Sequence, residues 1–236
     1  MTLEALKKYP AKKAIILGSG VSVFNDKKPL ATVPYKDIDN WPLGKVKGHK
    51  GVLDIYDDIW VLRGRAHLYE GFSWKEACFP TQFLADHGIE ELILTNAAGG
   101  LNPNFEIGDL MQITGYLNML EPNKERGNID ILTQQVKEFE TQKIESKEIH
   151  FGNYIGVHGP NYETDLEVEV FRSMKADAVG MSTIPEIETA IKNKLKVQAV
   201  SVITNVYGKT EDLGHEGVVV AAKNASNKLT ELLGIS

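Results

Sequence analysis

Three bulky polar side chains alternate along one short segment of the chain. Arg65, His67 and Tyr69 stand two residues apart, so an extended backbone would point all three to the same side. A guanidinium binds a phosphate through paired hydrogen bonds, and an imidazole adds a hydrogen bond or a charge. A solvated strand face is the alternative interpretation. We favour an anion-binding site, because an aromatic stretch at 69–74 follows directly.

Two turns rich in small residues offer backbone N–H groups to the same kind of ligand. Gly18, Ser19 and Gly20 follow the apolar run AIIL. The small residues at 96–100 follow a second apolar run at 92–95. Glycine lets a backbone approach an anion closely, and the Ser19 hydroxyl can donate to it. A tight turn without a ligand explains either pattern, so the residues alone leave this choice open.

A carboxylate beside an aromatic residue can bind a flat heterocycle. Tyr162 can stack on such a ring, and Glu163 can accept a hydrogen bond from a ring N–H. A loop that enters a helix explains the same pair, because an acidic side chain favours a helix N-terminus. Met181 and Ser182 offer an apolar wall and a hydroxyl, with a strand–helix junction as the alternative.

Two further histidines lie beside glycines, and neither has a decided role. His49 is in a flexible polar loop, where solvent exposure is the simpler interpretation. His215 precedes the last predicted helix and can either cap that helix or face a pocket. The sequence contains no cysteine cluster, no HExxH, no GxxxxGK[ST] and no GxSxG. It therefore predicts no metal site.

Strands and helices alternate along the chain, and they must position these residues. Apolar runs predict strands at 14–17, 52–56, 59–62, 92–95, 110–114, 154–157 and 197–203. Helical spacing predicts helices at 74–87, 165–174, 185–194 and 216–233. The pattern is typical of an α/β fold with a mostly parallel or mixed sheet. Because such sheets bind ligands at the carboxyl ends of their strands, the strand-end loops are the predicted site.

Composition narrows the class of function. Apolar residues make up 42% and charged residues 25%, as in ordinary soluble domains, and the net charge of −6 argues against nucleic-acid binding. No apolar stretch is long enough to span a bilayer, and the charged first ten residues are unlike a signal peptide. Cys78 is the only cysteine, which favours a reducing compartment, and we interpret it as an apolar filler and not a nucleophile.

Eight short motifs share their order with a known family over most of the chain. They are ILGSG, GHKG, RGRAHLYEG, TNAAGGLNPNFEIGDLM, GPNYET, DAVGMSTIPE, SVITN and HE. Together they resemble the trimeric purine nucleoside phosphorylase family. The resemblance implies one nucleoside phosphorylase domain over residues 1–236, a single α/β domain in which helices flank a central mixed sheet or barrel. It also implies a homotrimer that needs no cofactor and uses inorganic phosphate as co-substrate, and the reducing compartment that the single cysteine favours predicts a cytoplasmic location.

The resemblance implies a role for each matching position. It implies a phosphate cradle of Ser19, His49, Arg65, His67, the Ala97 backbone and Ser182. It implies ribose contacts at Tyr69, Met181 and His215 and base contacts at Tyr162, Glu163, Val179, Thr204 and Asn205. The implied reaction is reversible phosphorolysis of inosine, guanosine or their deoxy counterparts to purine and (deoxy)ribose 1-phosphate. His67, Glu163 and Asn205 are the implied catalytic residues.

Two segments are shorter than in the better-known members of that family. One is the region 119–152. In the better-known members the corresponding region supplies an aromatic residue that covers the ribose of the neighbouring subunit. Phe139 and Phe151 are the candidates for that residue here. The loop from Asn205 to His215 is also short, which bears on the reach of His215. The polar, charged stretch 121–147 predicts a surface excursion.

Three other functions stay open at this point. A methylthioadenosine phosphorylase has the same fold but carries aspartate at the position of Asn205, so the asparagine favours 6-oxopurines. A nucleoside hydrolase would use water, which the presence of Ser19, Arg65 and His67 argues against. A catalytically weak paralogue would bind nucleosides without turning them over.

Overall fold

A mixed β-sheet runs through the centre of the molecule. The computed structural model describes residues 2–24, 27–120, 135–209 and 214–234. The strands are β1 (Lys13–Leu17), β2 (Ala31–Pro34), β3 (Val52–Ile55), β4 (Ile59–Arg63), β5 (Glu91–Gly100), β6 (Leu110–Asn118), β7 (Lys137–Glu138), β8 (Ile149–Gly156), β9 (Ala178–Gly180) and β10 (Lys196–Val206). The helices are α1 (Thr2–Lys8), α2 (Trp74–Asp86), α3 (Asp165–Ser173), α4 (Ile184–Lys192) and α5 (Gly214–Leu232).

Five of these strands close into a barrel. β5 pairs with β10, β10 with β6, β6 with β8, β8 with β9, and β9 returns to β5. β1, β4, β3 and β2 continue the sheet outward from β5 in that order. The predicted α/β class, with helices flanking a mixed sheet that closes into a barrel, is confirmed.

Apolar side chains are buried on both faces of the sheet. Neighbouring residues of a strand point to opposite faces, and Ile15 and Ile16 of β1 belong to two different buried clusters. Leu84 of α2 and Ile187 of α4 share the cluster of Ile16, whereas Leu229 of α5 shares that of Ile15. Because helices cover both faces, the strands are continuous apolar runs and not alternating ones.

β5 changes neighbours halfway along its length, and this opens the sheet. On the edge away from β10, β1 pairs with β5 as far as Leu94, and β9 pairs with it only at Gly99 and Gly100. Within the described chain, residues 95–98 have no strand beside them on that edge. A crevice at the carboxyl ends of parallel strands is the usual ligand site of an α/β sheet.

The predicted helices and strands form close to their expected positions, but four strands are longer than predicted: β6 continues to Asn118, β8 begins at Ile149, and β5 and β10 extend at their carboxyl ends. Residues 96–100 continue β5, although they were expected to be a loop, because β10 and β9 pair with them. Thr204 and Asn205 likewise belong to β10. Four short elements, α1, β2, β7 and β9, were not predicted. The three short strands are held by hydrogen bonds to strands distant in sequence, which a local pattern does not contain.

The described half of the predicted polar excursion is anchored to the barrel. Gln112, buried in β6, donates through Nε2 to the carbonyl oxygen of Gln142 at 2.8 Å and accepts from the N–H of Ile144 at 2.9 Å. The Thr141 hydroxyl donates to the carbonyl oxygen of Val197 at 2.8 Å. Residues 135–147 therefore follow the barrel surface on fixed contacts. Residues 121–134 lie outside the described part.

Candidate active site

One pocket opens beside the unpaired stretch of β5, and it collects most of the predicted site residues. The space within it, including the part that is open to solvent, is about 690 Å³. The predicted residues that line it are Ser19, Arg65, His67, Tyr69, Ala97, Tyr162, Glu163, Val179, Met181, Ser182, Thr204 and Asn205. The fold thus brings together side chains that the sequence scatters over nearly 190 positions.

The segment that carries Arg65, His67 and Tyr69 is not extended throughout, which corrects the sequence prediction: His67 is extended, but Tyr69 lies in a 3-10 turn. β4 ends just before Gly64, which has a φ of 119°. A 3-10 turn, Leu68–Glu70, then follows. The three side chains still converge on the pocket, but they do so through this turned backbone and not through strand alternation.

Arg65 is held on two sides and keeps one nitrogen unpaired. Its Nε donates to Glu186 Oε1 at 2.6 Å, and its Nη1 donates to the carbonyl oxygen of Thr95 at 2.6 Å. The side chains of Arg65 and Glu186 are only 2% and 5% exposed. Nη2 is buried and has no hydrogen-bond partner among the described residues. Because an unpaired buried donor is costly, this nitrogen is suited to an anion in the pocket.

Glu70 orients the ring of His67. Its Oε1 lies 3.1 Å from His67 Nδ1 and accepts the backbone N–H of His67 at 3.1 Å. Burial would raise the pKa of Glu70, but hydrogen bonds from His67 and from the Lys45 N–H hold that pKa below its usual value. The carboxylate is therefore ionised and favours the tautomer in which Nδ1 carries the proton.

His49 lies behind the pocket, where it joins two predicted phosphate ligands. Its Nε2 is 3.2 Å from Ser19 Oγ, and its Nδ1 is 3.2 Å from the carbonyl oxygen of Arg65. A Cβ at Gly64 would lie 2.6 Å from His49 Cβ, so glycine is required for this approach. Burial, followed by the charges of His67 and Arg65, lowers the pKa of His49 to about 4. The ring is therefore neutral at physiological pH.

Tyr69 continues a stack of rings along this side of the pocket. The ring centroids of His67 and Tyr69 are 4.8 Å apart, and those of His49 and His67 are 5.4 Å apart. Burial, and then the charge of Glu70, raises the pKa of Tyr69 to about 12. The phenol is thus a neutral hydrogen-bonding group.

Ser182 is held by its neighbour in a strained turn. Thr183 is buried and has a φ of 74°, which is uncommon for a β-branched residue. Its Oγ1 is 3.0 Å from Ser182 Oγ and accepts a hydrogen bond from Asn96 Nδ2 at 2.9 Å. Asn96 Oδ1 is buried without a partner in the described structure. Strained backbone of this kind is often found at ligand sites.

A bulge in β10 gives the neighbouring residues Thr204 and Asn205 different surroundings. The pairing register with β5 shifts between Ile203 and Asn205. Thr204 is buried, and its hydroxyl donates to the carbonyl oxygen of Ala98 at 3.3 Å. Bulges re-aim the side chains of a strand. Asn205 accordingly lies half-buried at the pocket wall.

Glu163 enters the pocket from the loop before α3. Burial raises the pKa of its carboxyl group. Its Oε2 accepts a hydrogen bond from the hydroxyl of Tyr207, and the Asn205 side chain also hydrogen-bonds that phenol. The neighbouring Tyr162 is 41% exposed and lines the same pocket. A titratable carboxylate and an amide are thereby joined at one wall of the pocket.

Several supporting residues were not identified from the sequence. They are Glu70, Asn96, Thr183, Glu186 and Tyr207. The first four lie inside the quoted motifs, so their place in those motifs was the available signal. Tyr207 stands two residues after Asn205, and alternation along a strand could have indicated that both face the same side.

The other predicted residues either lie away from this pocket or have side chains outside the described part of the chain. His215 belongs to α5, but its side chain is outside the described part of the chain. Phe139 packs against Tyr116, and Phe151 is 44% exposed; neither lines the pocket. Cys78 is half-buried in a separate cleft between α2 and α4.

The described residues contain neither a metal-ion site nor a membrane-spanning helix. No group of three or more His, Cys, Asp or Glu side chains is placed to hold a metal ion in the described structure. None of the described helices combines the length and apolar character needed to cross a membrane.

Comparison with known proteins assigns the family. Residues 12–234 match the family model described as the Phosphorylase superfamily. The chain is 36% identical over 250 residues to purine nucleoside phosphorylase of Bos taurus, covering 94% of this chain and 86% of that protein. It is 36% identical over 237 residues to purine nucleoside phosphorylase 1 of Geobacillus stearothermophilus, covering 90% and 86%. The crystal structure of Schistosoma mansoni purine nucleoside phosphorylase in complex with inosine superposes with a TM-score of 0.78 at 26% identity, covering 98% of this chain and 91% of that one. The chain belongs to the phosphorylase superfamily and, within it, to the purine nucleoside phosphorylases.

Proposed function

We propose that this enzyme, a pentosyltransferase, catalyses the reversible phosphorolysis of 6-oxopurine nucleosides such as inosine, guanosine and their 2′-deoxy counterparts. The products are the free purine and (deoxy)ribose 1-phosphate. One observation carries the proposal. A single pocket combines the unpaired, buried Nη2 of Arg65 with the carboxylate of Glu163 and the amide of Asn205. The first suits an anion, and the other two suit the polar edge of a purine.

Phosphate is proposed to bind at the Arg65 side of the pocket. Arg65 supplies a charged donor, and a charge-assisted hydrogen bond to an oxyanion is stronger than a neutral one. The hydroxyls of Ser19 and Ser182, the backbone of Ala97 and the ring of His67 complete the proposed cradle. The neutral His49 supports this cradle from behind through its contact with Ser19.

The nucleoside is proposed to lie against the remaining walls. Tyr162 stacks on the base, and Glu163 accepts its N1–H, while Asn205 donates to N7. Val179 and Thr204 line the base site. Tyr69, Met181 and His215 are the proposed ribose contacts, of which the first two line the pocket.

The chemistry follows from the charges that develop during cleavage. The bond between the anomeric carbon and purine N9 breaks, which leaves positive charge on the ribose and negative charge on the purine. The phosphate dianion stabilises the ribose cation and then forms the new bond to the anomeric carbon. Asn205 stabilises the purine as N7 gains charge. Catalysis is thus by electrostatic preorganisation and positioning, without a covalent enzyme intermediate.

The test is purine release from inosine by the wild type and by Asn205→Ala, with and without phosphate. We expect release only with phosphate and a roughly hundredfold loss of kcat/KM in the variant, about 2.7 kcal/mol of transition-state stabilisation. Asn104→Ala removes an exposed amide outside the pocket and is the matched control. Equal release without phosphate would indicate a hydrolase. A clear preference for methylthioadenosine would reject the 6-oxopurine assignment, and binding without turnover would indicate a nucleoside-binding paralogue.

The remaining properties are proposed from the family resemblance and, for the location, from the single cysteine. We propose one domain over residues 1–236, no cofactor beyond phosphate as co-substrate, a cytoplasmic location and a homotrimer. Light scattering tests the assembly, for which we expect a mass three times that of the chain. A monomer or dimer would contradict it.

A further inference from the structure

The hydroxyl of Tyr207 contacts Glu163 and Asn205, the two residues that are proposed to bind the polar edge of the base. It donates to Glu163 Oε2, and the side chain of Asn205 also hydrogen-bonds it. We propose that Tyr207 is a specificity-determining residue, and that it favours hypoxanthine nucleosides over guanine nucleosides. This inference rests on the proposed function and refines its substrate class.

The main chain of Tyr207 is fixed from both sides. Its N–H donates to the carbonyl oxygen of Gly100 at 3.0 Å, and its carbonyl oxygen accepts from Arg172 Nη2 at 2.9 Å. Gly208, with a φ of 87°, then turns the chain away from β10. The Tyr207 backbone is therefore held by contacts outside the proposed base contacts.

The ring of Tyr207 rests on the backbone of β5. A Cβ at Gly99 would lie 2.8 Å from Tyr207 Cε2, so a side chain there would push the ring away. The same Cβ would lie 3.4 Å from Asn205 Nδ2 and from Val179 Cγ1. The phenol is thus packed among residues that line the pocket, and it belongs to the proposed base site itself.

The phenol of Tyr207 is protonated and can donate to Glu163. Burial raises the pKa of Tyr207 well above its usual value, and the neighbouring Glu163 raises it further. The phenol therefore keeps its proton and remains a donor. A hydrogen bond to a carboxylate is among the stronger ones in proteins, so Glu163 Oε2 is largely committed to Tyr207.

Hypoxanthine and guanine differ in the number of donors on the edge that Glu163 would read. Hypoxanthine presents N1–H alone, which Glu163 Oε1 can accept. Guanine presents N1–H and a 2-amino group, and the second donor has to share Oε2 with the phenol. A buried donor without a full acceptor loses free energy on binding. The pocket should therefore select the base with one donor.

The experiment measures kcat/KM for inosine and guanosine at saturating phosphate in the wild type, Tyr207→Phe and Tyr116→Phe. Tyr116 is the matched control, because its hydroxyl donates to Glu188 at 3.3 Å outside the pocket. We expect the wild type to prefer inosine by about tenfold and Tyr207→Phe to reduce that ratio at least about fivefold through a gain on guanosine. Tyr116→Phe should keep the wild-type ratio.

The outcomes separate this inference from the proposed function. An unchanged ratio in Tyr207→Phe, or an equal loss on both nucleosides, would overturn the specificity role. If the wild type releases no purine from either nucleoside, the proposed function fails instead. Calorimetric titration with inosine and guanosine then decides the inference without turnover: a preference that Tyr207→Phe reduces supports it, and equal or absent binding overturns it.

Discussion

The two arginines of the RGR motif have different roles, although one glycine separates them. Arg63 pairs with Asp54 and donates to the hydroxyl of Tyr56 at 2.9 Å, outside the pocket. Arg65 pairs with Glu186, and its Nη2 has no partner among the residues that the structure describes. Both ion pairs are buried, so removing one partner of either is expected to be destabilising. Only the second pair bears on the proposed phosphate site.

Neutralising Glu186 tests how the Arg65 charge is held. In Glu186→Gln the hydrogen-bond acceptor stays while its charge is lost, so we expect stability to fall by about 3 kcal/mol. The phosphate KM should fall about threefold, because less negative charge lies near the dianion. In Glu186→Ala the acceptor is lost too, and the phosphate KM should rise. Urea unfolding and phosphate titration of the initial rate are the measurements.

Asp54→Asn is the control for these two variants. It weakens the comparable buried pair at Arg63 and should cost stability while leaving the phosphate KM unchanged. If both Glu186 variants keep the wild-type phosphate KM, then Glu186 has only a structural role.

At the scale of elements, helix caps end the loops that precede α2 and α3. Thr164 caps α3, since its hydroxyl accepts the N–H of Glu167 and its own N–H donates to Glu167 Oε2 at 2.8 Å. Ser73 and Glu76 form the same capping box at the start of α2. The cap of α3 directly follows Glu163, whereas Ser73 does not line the pocket. The start of α3 therefore fixes the backbone next to the proposed base reader.

Substituting each capping residue distinguishes an effect on helix stability from an effect on the position of Glu163. Thr164→Ala and Ser73→Ala should each lower the free energy of unfolding by about 1 kcal/mol. Only Thr164→Ala should also raise the KM for inosine, by about threefold, because it loosens the residue next to Glu163. Denaturant unfolding and steady-state kinetics check both effects. An equal change in KM for the two variants would refute this coupling.

At the scale of the whole molecule, His49 links the global stability to pH. It joins Ser19 in the turn after β1 to Arg65 in the turn after β4, and its ring is half-buried. Its pKa is about 4 in the folded chain, against 6.5 in an unfolded one. Between these values the unfolded chain binds the proton and the folded chain does not. The contribution of His49 to stability is therefore fully present above pH 6.5 and is lost as the pH drops towards 4.

The variant His49→Gln removes this titration. Between pH 8 and pH 5 we expect the wild type to lose at most about 2 kcal/mol through His49, and the variant to lose correspondingly less. Urea unfolding at the two pH values, without phosphate, measures the difference. His158→Gln, at an exposed histidine, controls for the loss of an imidazole. A slope in His49→Gln identical to that of the wild type would exclude His49 as the source.

The sequence by itself determined the class of fold and most residues of the pocket. Apolar runs and helical spacing predicted the main elements, since those patterns are local. The motifs that surround Arg65, Glu163 and Asn205 also lie within short stretches of chain. Residues that line one pocket were therefore recognisable before any distance was known.

Only the tertiary structure decided the partners of these residues. The carboxylate of Glu186 lies 121 positions from Arg65 in sequence, and the phenol of Tyr207 lies 44 positions from Glu163. Closure of the barrel brings such residues together, and it also keeps 96–100 in a strand where a loop was expected. Burial then sets the charge state of His49. These properties depend on contacts between residues that are distant in sequence, and a local sequence pattern carries no information about such contacts.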